Sequence, residues 1–462
     1  MNIRNKPSRT QRHLRQAGTF ALLASLALAG TLGAADAPPG IRVLDEQTGR
    51  GVPLVELETV NHIRFVTDSN GLVAFDEPGL MEREVFFHVR SHGYEFPKDG
   101  FGFTGTRVAL KPGGRTEIKL KRLNIAERLC RLTGGGIYRD SVLLGVKPPL
   151  REPLLNAQVL GQDGVQVVPY RGKLYWFWGD TNRPKYPLGQ FQTSGATSEL
   201  PAHPDTGIDL HYFTDADGFS KKMVPFKEPG AIWIDGLLTV PDDAGRERLV
   251  AHYARMKDLG TMLEHGLLIF NDETQQFDKL AQFDLKDKVR CPRGHAVRVD
   301  DHFYFATPLA SARVKATLAD LRNPASYELI PSDPTVTDAD SRKPVKLHAG
   351  SINWNAYRKK WILIAVEQGG ASSFLGEVWY SEADNVTGPW RWAKKIATHD
   401  RYSFYNPAHH PFLDQAGGRV IYFEGTYSET FSGNPSPTPR YDYNQILYRL
   451  DLADPRLRLP EP

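Results

Sequence analysis

The sequence predicts an all-β protein with a small N-terminal β-sandwich followed by a five-bladed β-propeller. Two observations predict this fold. Short β-rich runs alternate with turn signals along the chain, and no sustained amphipathic helix interrupts them. Between residues 162 and 452, one pattern recurs five times, imperfectly. Each repeat has a polar or charged segment, called its opening, then a short apolar run, and then a second strand that ends on a polar or charged residue. Such repetition is typical of a propeller, whose blades bury their faces by packing against neighbouring blades.

Residues 1–35 have the order of a secretory signal peptide. Five basic residues come first, an apolar run extends from about Ala17 to Leu32, and small residues follow. The alternative is a membrane anchor, but the run is shorter than the roughly 20 apolar residues that usually span a bilayer. We therefore expect cleavage after Ala35, no membrane span, and a protein that is secreted or periplasmic.

The charge balance gives no indication of a nucleic-acid partner. The chain has 57 Lys and Arg residues against 54 Asp and Glu residues, and without the five basic residues near its start the balance is 52 against 54. Binding to nucleic acid would call for a basic face. The apparent basicity thus belongs to the predicted signal peptide.

The two cysteines leave two interpretations open. Cys130 and Cys291 could form a bridge that ties the two domains together, which an oxidising compartment would permit, or they could be buried free thiols. Two cysteines alone make no zinc site. We expect no required cofactor, although a structural or axial metal ion held by histidines is a further possibility.

Residues 40–123 form the predicted sandwich, and Asp68-Ser69-Asn70-Gly71 within it is a strong hairpin turn. The stretch from Gly51 to Leu57, leading to residues 67–73, resembles the carboxypeptidase-regulatory or transthyretin-like domains attached to secreted bacterial enzymes. That resemblance implies an accessory module without chemistry of its own. Residues 124–150 are predicted to be a linker, and residues 151–455 the propeller.

The blade openings and the ends of the following strands supply the candidate site residues, because the inner strands of a propeller converge on one axis. The candidate catalytic acids are Asp163, Asp180, Asp235, Glu264 and Glu377. The candidate substrate-binding residues are Trp178, Arg255, His295, His348, Glu367, His409, His410 and Glu424.

Carboxylates that face one another among aromatic side chains suit the cleavage of a glycosidic bond. The oxocarbenium-like transition state needs an acid on the leaving oxygen and an anion opposite. Crowding also separates the pKa values of neighbouring carboxyls, so that one stays protonated while the other is ionised. The structural alternatives are that Asp180 caps a turn, that Glu264 and Glu377 form salt bridges at the rim, and that the histidines are buried.

Two resemblances to known families add to this interpretation. The segment from Gly172 to Thr181, preceded by Asp163, resembles the opening of the five-bladed propeller hydrolases that include bacterial endo-D-arabinanases, and implies Asp163 and Asp180 as the catalytic pair. The segment from Gly376 to Tyr380 is similar to the arabinanase and xylosidase propellers, where a glutamate from a later blade is the general acid. The second resemblance implies Glu377 as the acid, so the two differ on this role.

The sequence therefore predicts a secreted glycoside hydrolase that cleaves a polysaccharide or oligosaccharide, with Asp163 and Asp180 as the central pair. The alternative is a non-catalytic propeller for carbohydrate binding or surface assembly, since propellers host both functions. A third option is a polysaccharide lyase that uses histidine and tyrosine. We expect a carbohydrate as the partner and a monomeric protein.

Overall fold

The structure, a computed structural model, describes residues 37–190, 192–287 and 291–461. The predicted all-β fold class is confirmed. Within these ranges the α-helices are α1 (Arg139–Leu143) and α2 (Leu318–Arg322), and the 3-10 helices are Pro78–Leu80, Pro204–Thr206, Pro324–Ser326, Pro411–Leu413, Ala416–Gly418 and Pro455–Leu457. The predicted signal peptide lies outside the described residues. No helix in the described ranges has the length and apolar character needed to cross a membrane.

The N-terminal part of the chain forms two facing four-stranded sheets. Their strands are β1 (Gly40–Asp45), β2 (Glu56–Thr59), β3 (Arg64–Val66), β4 (Leu72–Ala74), β5 (Glu84–Arg90), β6 (Tyr94–Glu95), β7 (Gly105–Ala109) and β8 (Arg115–Arg122). The sheet orders are β4-β1-β8-β6 and β3-β2-β5-β7. Buried apolar side chains of both sheets, among them Val43, Phe87 and Leu120, share one core. The Asp68 carboxylate accepts the backbone N–H groups of Asn70 and Leu72 and holds the predicted turn.

The rest of the chain adds strands that are grouped into five main sheets. These strands are β9 (Glu127–Arg131), β10 (Gly161–Gln162), β11 (Val165–Tyr170), β12 (Lys173–Trp178), β13 (Thr181–Arg183), β14 (Tyr186–Gln190), β15 (Ser194–Ser198), β16 (His211–Tyr212), β17 (Ala231–Pro241), β18 (Glu247–Met256), β19 (Met262–Asn271), β20 (Gln276–Phe283), β21 (His295–Val299), β22 (His302–Ala306), β23 (Ala310–Lys315), β24 (Glu328–Leu329), β25 (Thr335–Asp338), β26 (Pro344–Asn355), β27 (Lys360–Glu367), β28 (Val378–Ala383), β29 (Trp392–Ala397), β30 (Ser403–His409), β31 (Val420–Ser428) and β32 (Asn444–Asp451).

The five sheets have the orders β11-β12-β15-β16, β17-β18-β19-β20, β21-β22-β23-β24, β26-β27-β28-β29 with β25 bridging its two edges, and β30-β31-β32-β9. The strands β10, β13 and β14 form a small additional sheet. Each main sheet is an antiparallel meander, apart from the parallel pairing of β25 with β29. Consecutive meanders of this kind are the units from which a propeller is built.

The five sheets are arranged radially. Their first strands, β11, β17, β21, β26 and β30, contact one another in chain order. The ring closes where the backbone N–H of Gly164 donates to the hydroxyl of Thr426 in the fifth sheet, at 3.1 Å. A separate apolar core fills each space between neighbouring sheets, including the space between the fifth sheet and the first. This packing places the first strand of every sheet around one central cavity.

Part of the predicted linker belongs to the propeller instead. Within residues 124–150, β9 pairs antiparallel with β32 and is the outermost strand of the fifth sheet. Every residue of β9 is buried, and Leu129 and Cys130 pack into the core between the fifth and first sheets. The prediction of a linker was wrong for residues 127–131, because a strand from before the first blade completes the last one.

The N-terminal sandwich packs against the fifth sheet. Leu54 and Val66 of the sandwich join the core between the fourth and fifth sheets, and the Tyr441 hydroxyl donates to the backbone carbonyl of Thr67 at 2.6 Å. Cys130 and Cys291 are both buried free thiols. Of the two interpretations of the cysteines, the structure therefore supports the one in which they are free thiols without a disulfide bond.

Candidate active site

The central cavity has a volume of about 900 Å³. Each of the five main sheets contributes residues of its first strand, or residues just before that strand, to the cavity wall. The contributing segments are residues 163–166, 233–235, 293–295, 348–350 and 405–407. The openings of the five sequence repeats therefore meet around this cavity.

Asp163 lies immediately before β11 and is held by three hydrogen-bond donors. Its Oδ1 atom accepts the backbone N–H of Asp180 at 3.0 Å, its Oδ2 atom accepts the Tyr405 hydroxyl at 3.1 Å, and the side chain of Tyr443 also hydrogen bonds to it. Burial raises the pKa of Asp163 to about 6, although the two tyrosines act in the opposite direction. Gly179 makes the close approach possible, because a Cβ atom there would lie 2.5 Å from Asp163 Oδ1.

Asp180 lies at the end of β12, next to Asp163. Its side chain is buried, and its Oδ1 atom accepts the indole Nε1–H of Trp233 at 2.8 Å. Burial and then the charge of Asp163 raise the pKa of Asp180 to about 7. Within the described residues, no lysine or arginine forms an ion pair with either carboxylate, so hydrogen bonds from neutral groups, and no paired cation, offset the mutual repulsion of the two charges.

Asp235 brings a third carboxylate into the cavity from the second sheet. A register shift between Asp235 and Leu238 in the pairing of β17 with β18 interrupts the strand at this point. Its Oδ1 atom accepts the backbone N–H of Gly294 at 2.9 Å. Burial raises the pKa of Asp235 to about 6, and the nearby charge of Arg293 partly offsets the rise.

Two histidines and one tryptophan of the predicted binding set also line the cavity: His295, His348 and Trp178. Burial, together with the charge of His410, lowers the pKa of His295 to about 4, and burial lowers the pKa of His348. Both imidazoles are therefore neutral near pH 7 and each can donate one N–H. In the part of the chain that the structure describes, no group of three or more His, Cys, Asp or Glu side chains is placed to hold a metal ion.

Glu264 and Arg255 lie outside the cavity wall, where they pair with each other. The Glu264 carboxylate forms an ion pair with Arg255 at 3.1 Å and another with Lys279, and it accepts the Tyr253 hydroxyl. Burial acts to raise the pKa of Glu264, but the hydrogen bonds from Lys279, Tyr253 and Arg255 outweigh it and lower the pKa. This acid is held ionised by cations, which suits a structural role.

Glu377 and Glu367 are likewise outside the cavity wall. Glu377 is buried, with one carboxylate oxygen 2.8 Å from Lys395 Nζ and the other accepting the Thr398 hydroxyl at 2.7 Å. Glu367 accepts the indole N–H of Trp379 at 2.9 Å. The structure thus places the Glu377 carboxylate in contacts within the fourth sheet and its flanking loops.

The remaining predicted residues form two buried pairs beside the fifth sheet. His410 Nε2 lies 2.6 Å from Glu424 Oε1, and His409 Nε2 lies 2.9 Å from Asp414 Oδ1. All three predicted members, His409, His410 and Glu424, are buried and do not line the cavity. His409 ends β30 and His410 follows it, so both come after the residues 405–407 that line the cavity.

Sequence reasoning named Tyr405 only as one of the aromatics near the candidate acids, and it missed Tyr443 and Phe431. Tyr405 comes directly before Asn406, where the fifth repeat opens, as Trp233 comes shortly before Asp235. Tyr443 and Phe431 come from the loop between β31 and β32, which carries no repeat signal. Phe431 is 54% exposed, has a left-handed backbone with φ of 67°, and packs edge to face on Tyr405 with ring centroids 5.9 Å apart.

No protein-family model matches the chain, and no curated protein sequence matches it. Similar solved structures include an exo-β-1,3-galactanase from Phanerochaete chrysosporium with galactose, at 12% identity and a TM-score of 0.41 over 72% of this chain and 66% of that one. An exo-1,5-α-L-arabinanase from a bovine ruminal metagenomic library is 10% identical, with a TM-score of 0.38 over 64% of this chain and 94% of that one. The GH43_1 enzyme from Xanthomonas citri complexed with xylotriose is 11% identical, with a TM-score of 0.36 over 67% and 92%.

The chain spans just under two thirds of the length of the galactanase. At these identities and TM-scores, the likeness carries no argument about the function of this chain. The chemistry of the cavity has to be argued from its own residues.

Proposed function

We propose that this protein is a glycoside hydrolase that cleaves a polysaccharide or oligosaccharide in the central cavity, with Asp163 and Asp180 as the acid–base pair. The observation that carries the proposal is the presence of two adjacent carboxylates that, among the described residues, accept hydrogen bonds from neutral groups and form no ion pair with a lysine or arginine. Burial raises their pKa values to about 6 and about 7, so near neutral pH the pair holds one proton between them. Acid–base chemistry on a glycosidic bond requires such a pair.

The hydrogen bonds assign the roles within the pair. Asp163 accepts from three donors, which favours its ionised form, whereas Asp180 accepts the single donor of Trp233. Asp180 is then the group that gives a proton to the glycosidic oxygen as the bond to the anomeric carbon breaks. Asp163 supplies the negative charge that the transition state needs, the oxygen of a water molecule bonds to the anomeric carbon, and the proton that this water releases restores the proton that Asp180 gave up. Asp235 adds a further carboxylate on the neighbouring sheet.

The pH dependence follows from these roles. The enzyme is active when Asp163 is ionised and Asp180 is protonated, so activity should be highest between about pH 6 and pH 7. Activity falls on the acid side as Asp163 takes up a proton and on the alkaline side as Asp180 loses one. The two pKa values that bound the active pH range describe the pair of carboxyls as a whole, because the charges of the two groups interact.

Two of the aromatic side chains in the cavity wall are exposed enough for a sugar ring to stack on them. Trp233 lies beside Asp180, and Phe431, which is 54% exposed, packs on the buried Tyr405 beside Asp163. We also propose, from the sequence alone, that the protein is exported to the periplasm or the medium, and that it acts as a monomer without a required cofactor.

The test is the release of reducing ends from a panel of polysaccharides, with ultraviolet absorbance recorded in parallel. We expect wild type to release reducing ends without absorbance, and Asp163→Asn and Asp180→Asn each to lower kcat by at least about 10³-fold. The matched control is Asp243→Asn, an exposed turn residue far from the cavity wall, which should keep full activity.

Three outcomes would overturn the proposal. Full activity in both cavity variants would show that the pair does no chemistry. Binding of a glycan without release of reducing ends would indicate a carbohydrate-binding propeller, and a product that absorbs in the ultraviolet would indicate a lyase.

A further inference from the structure

Arg293 is a cation in the cavity wall for which the described residues offer no partner. Its side chain is exposed and lines the cavity. By contrast, two arginines that are more covered form ion pairs: Arg255 with Glu264 at 3.1 Å and Arg358 with Glu382 at 2.6 Å. Within the described ranges, Arg293 has neither an ion pair nor a hydrogen bond of its side chain, so its guanidinium donors are available to a ligand.

The backbone that carries Arg293 is fixed. The N–H of Gly294 donates to Asp235 Oδ1 at 2.9 Å, and the carbonyl of Gly294 accepts the N–H of Gly236 at 2.8 Å and the amide of Gln166 at 3.3 Å. Gly294 also has a left-handed φ of 86°, and a Cβ atom there would lie 1.9 Å from the carbonyl oxygen of Ala306. These contacts hold the base of the Arg293 side chain in place beside Asp235, with its charged end free to meet a ligand.

Two neutral donors lie on the same side of the cavity. His295 is two residues after Arg293 at the start of β21, and His348 is at the neighbouring opening in β26. In the part of the chain that is described, neither imidazole has a hydrogen bond, and both are neutral near pH 7 because their pKa values are lowered. One guanidinium and two imidazole N–H groups are suited to the oxygens of an anion.

We propose that the substrate is an acidic glycan, and that Arg293, with His295 and His348, binds its carboxylate or sulfate group. This inference rests on the proposed hydrolase function. A uronic acid and a sulfated sugar both present planar or tetrahedral oxygens that a guanidinium binds by two parallel hydrogen bonds. The anionic group then lies on the side of Arg293, and the glycosidic bond lies beside Asp163 and Asp180.

An alternative role for Arg293 is to tune Asp235, whose pKa its charge lowers. An arginine with that role alone would be expected to contact the carboxylate, as Arg255 contacts Glu264. Asp235 instead takes its hydrogen bond from the backbone of Gly294, and Arg293 remains in the cavity without an ion pair to it. The two roles predict different dependence on the charge of the substrate, which makes them separable.

The experiment compares charged glycans with matched neutral ones. Uronate polymers such as polygalacturonate and alginate are used beside their carboxyl-reduced forms, and a sulfated galactan beside its desulfated form. We expect wild type to prefer one charged class. On that class, Arg293→Gln should lower kcat/KM at least about tenfold, which is the effect of one charged hydrogen bond, while the loss on the matched neutral polymer should be less than about twofold.

Two further variants sharpen the result. Arg293→Lys keeps the positive charge but lacks the planar guanidinium that donates two parallel hydrogen bonds. Its loss of kcat/KM on the charged polymer should therefore lie between wild type and Arg293→Gln. Arg298→Gln is the matched control, because Arg298 is exposed on β21, the strand that follows Arg293, and lies outside the cavity wall. Its activity on both polymers should equal that of wild type. The polymer on which Arg293→Gln loses the most activity shows whether the anionic group of the substrate is a uronate or a sulfate.

The outcomes separate this inference from the function on which it rests. Equal losses on charged and neutral polymers, or a wild type that prefers the neutral ones, would overturn the inference and leave the hydrolase standing. If no polymer is cleaved, the hydrolase proposal fails, and calorimetric binding of the same polymers decides the inference. Equal affinity of wild type and Arg293→Gln for the charged polymers would then overturn it.

Discussion

The carboxylates of the central cavity and those packed within the blades differ in what offsets their charge. Asp163 and Asp180 accept hydrogen bonds from neutral groups, and burial raises their pKa values to about 6 and about 7. Glu264 is also buried, but Arg255 and Lys279 pair with it and its pKa is lowered. Burial therefore does not distinguish the two kinds of acid, whereas the charge of the partner does.

This difference separates acids that stabilise the fold from acids suited to chemistry. A buried carboxylate without a cation is costly to keep ionised, so it holds a proton up to higher pH. Such groups are concentrated at functional sites, where a poised proton is needed. Glu377 with Lys395 and Glu424 with His410 have partners that can offset their charge, as Glu264 has. The comparison predicts that variants of the two kinds of acid have opposite effects on stability.

The largest expected effect is on a paired acid. Glu264→Gln should lower the free energy of unfolding by about 3 kcal/mol, because it leaves Arg255 and Lys279 without the carboxylate that offsets their charge. The rate constant kcat should change little, since Glu264 is outside the cavity wall. Urea unfolding followed by fluorescence measures the first quantity, and release of reducing ends measures the second.

Glu328→Gln is the matched control for this variant. Glu328 pairs with Arg313 at 2.6 Å, but its side chain is 58% exposed. Exposed pairs contribute about 0–1 kcal/mol, so this variant should unfold nearly as wild type does. A fall of kcat by orders of magnitude in Glu264→Gln, with stability retained, would place Glu264 among the reacting groups and contradict the comparison.

An effect of comparable size and opposite sign is expected for Asp180→Asn. The unfolded chain ionises Asp180 near pH 4, whereas the folded chain holds the proton up to about pH 7. Because the folded state binds more protons between these values, wild type loses stability as the pH rises from 4 to 7. Asparagine does not titrate, so the variant should be more stable than wild type by up to about 4 kcal/mol at pH 8. The gain should shrink towards zero near pH 4.

Thermal or urea unfolding across pH 4–8 measures this difference. Asp243→Asn serves as the control, because its exposed turn position gives it no reason to change the pH dependence of stability. An Asp180→Asn variant that is less stable than wild type at pH 8 would show that the carboxylate is offset in the folded state by something other than Trp233.

The fold was predictable because its signals are local and repeated. Period-two runs and turn residues recur in each blade, so the sheets and their number could be read from the openings alone. The closing strand β9 could not be predicted, because its partner lies more than 300 residues away, with Cys130 opposite Leu447. Nothing near Cys130 in the sequence indicates that pairing.

The candidate site was predictable to the extent that it follows the repeat. Asp163 and Asp235 stand at the openings, so aligning the blades placed them in one cavity. Glu264 and Glu377 stand at equivalent positions of their own blades, but the lysines that pair with them come from neighbouring strands, and the sequence does not show which cation a carboxylate meets. Phe431 lies in a loop of the fifth blade that no other blade repeats.

The smallest effect expected concerns the neutral donors that distinguish Asp163. Tyr405→Phe removes the hydroxyl that lies 3.1 Å from Asp163 Oδ2 and favours the ionised carboxylate. The pKa of Asp163 should therefore rise above about 6, and the acid limb of the pH profile of kcat/KM should move up by about 0.5–1 pH unit. Activity at pH 5.5 should fall up to about tenfold, while activity at pH 7.5, which Asp180 limits, should change little.

Tyr422→Phe is the matched control, since Tyr422 is also buried and donates to a carboxylate, Asp205, at 2.8 Å, but does so outside the cavity. Its pH profile should coincide with that of wild type. A uniform loss of activity at every pH in Tyr405→Phe would mean that the hydroxyl positions the substrate and does not hold Asp163 ionised. An unchanged pH profile would mean that Tyr443 and the Asp180 N–H are enough to keep Asp163 ionised. The number of hydrogen-bond donors on each carboxyl would then not decide which of the two acids carries the proton.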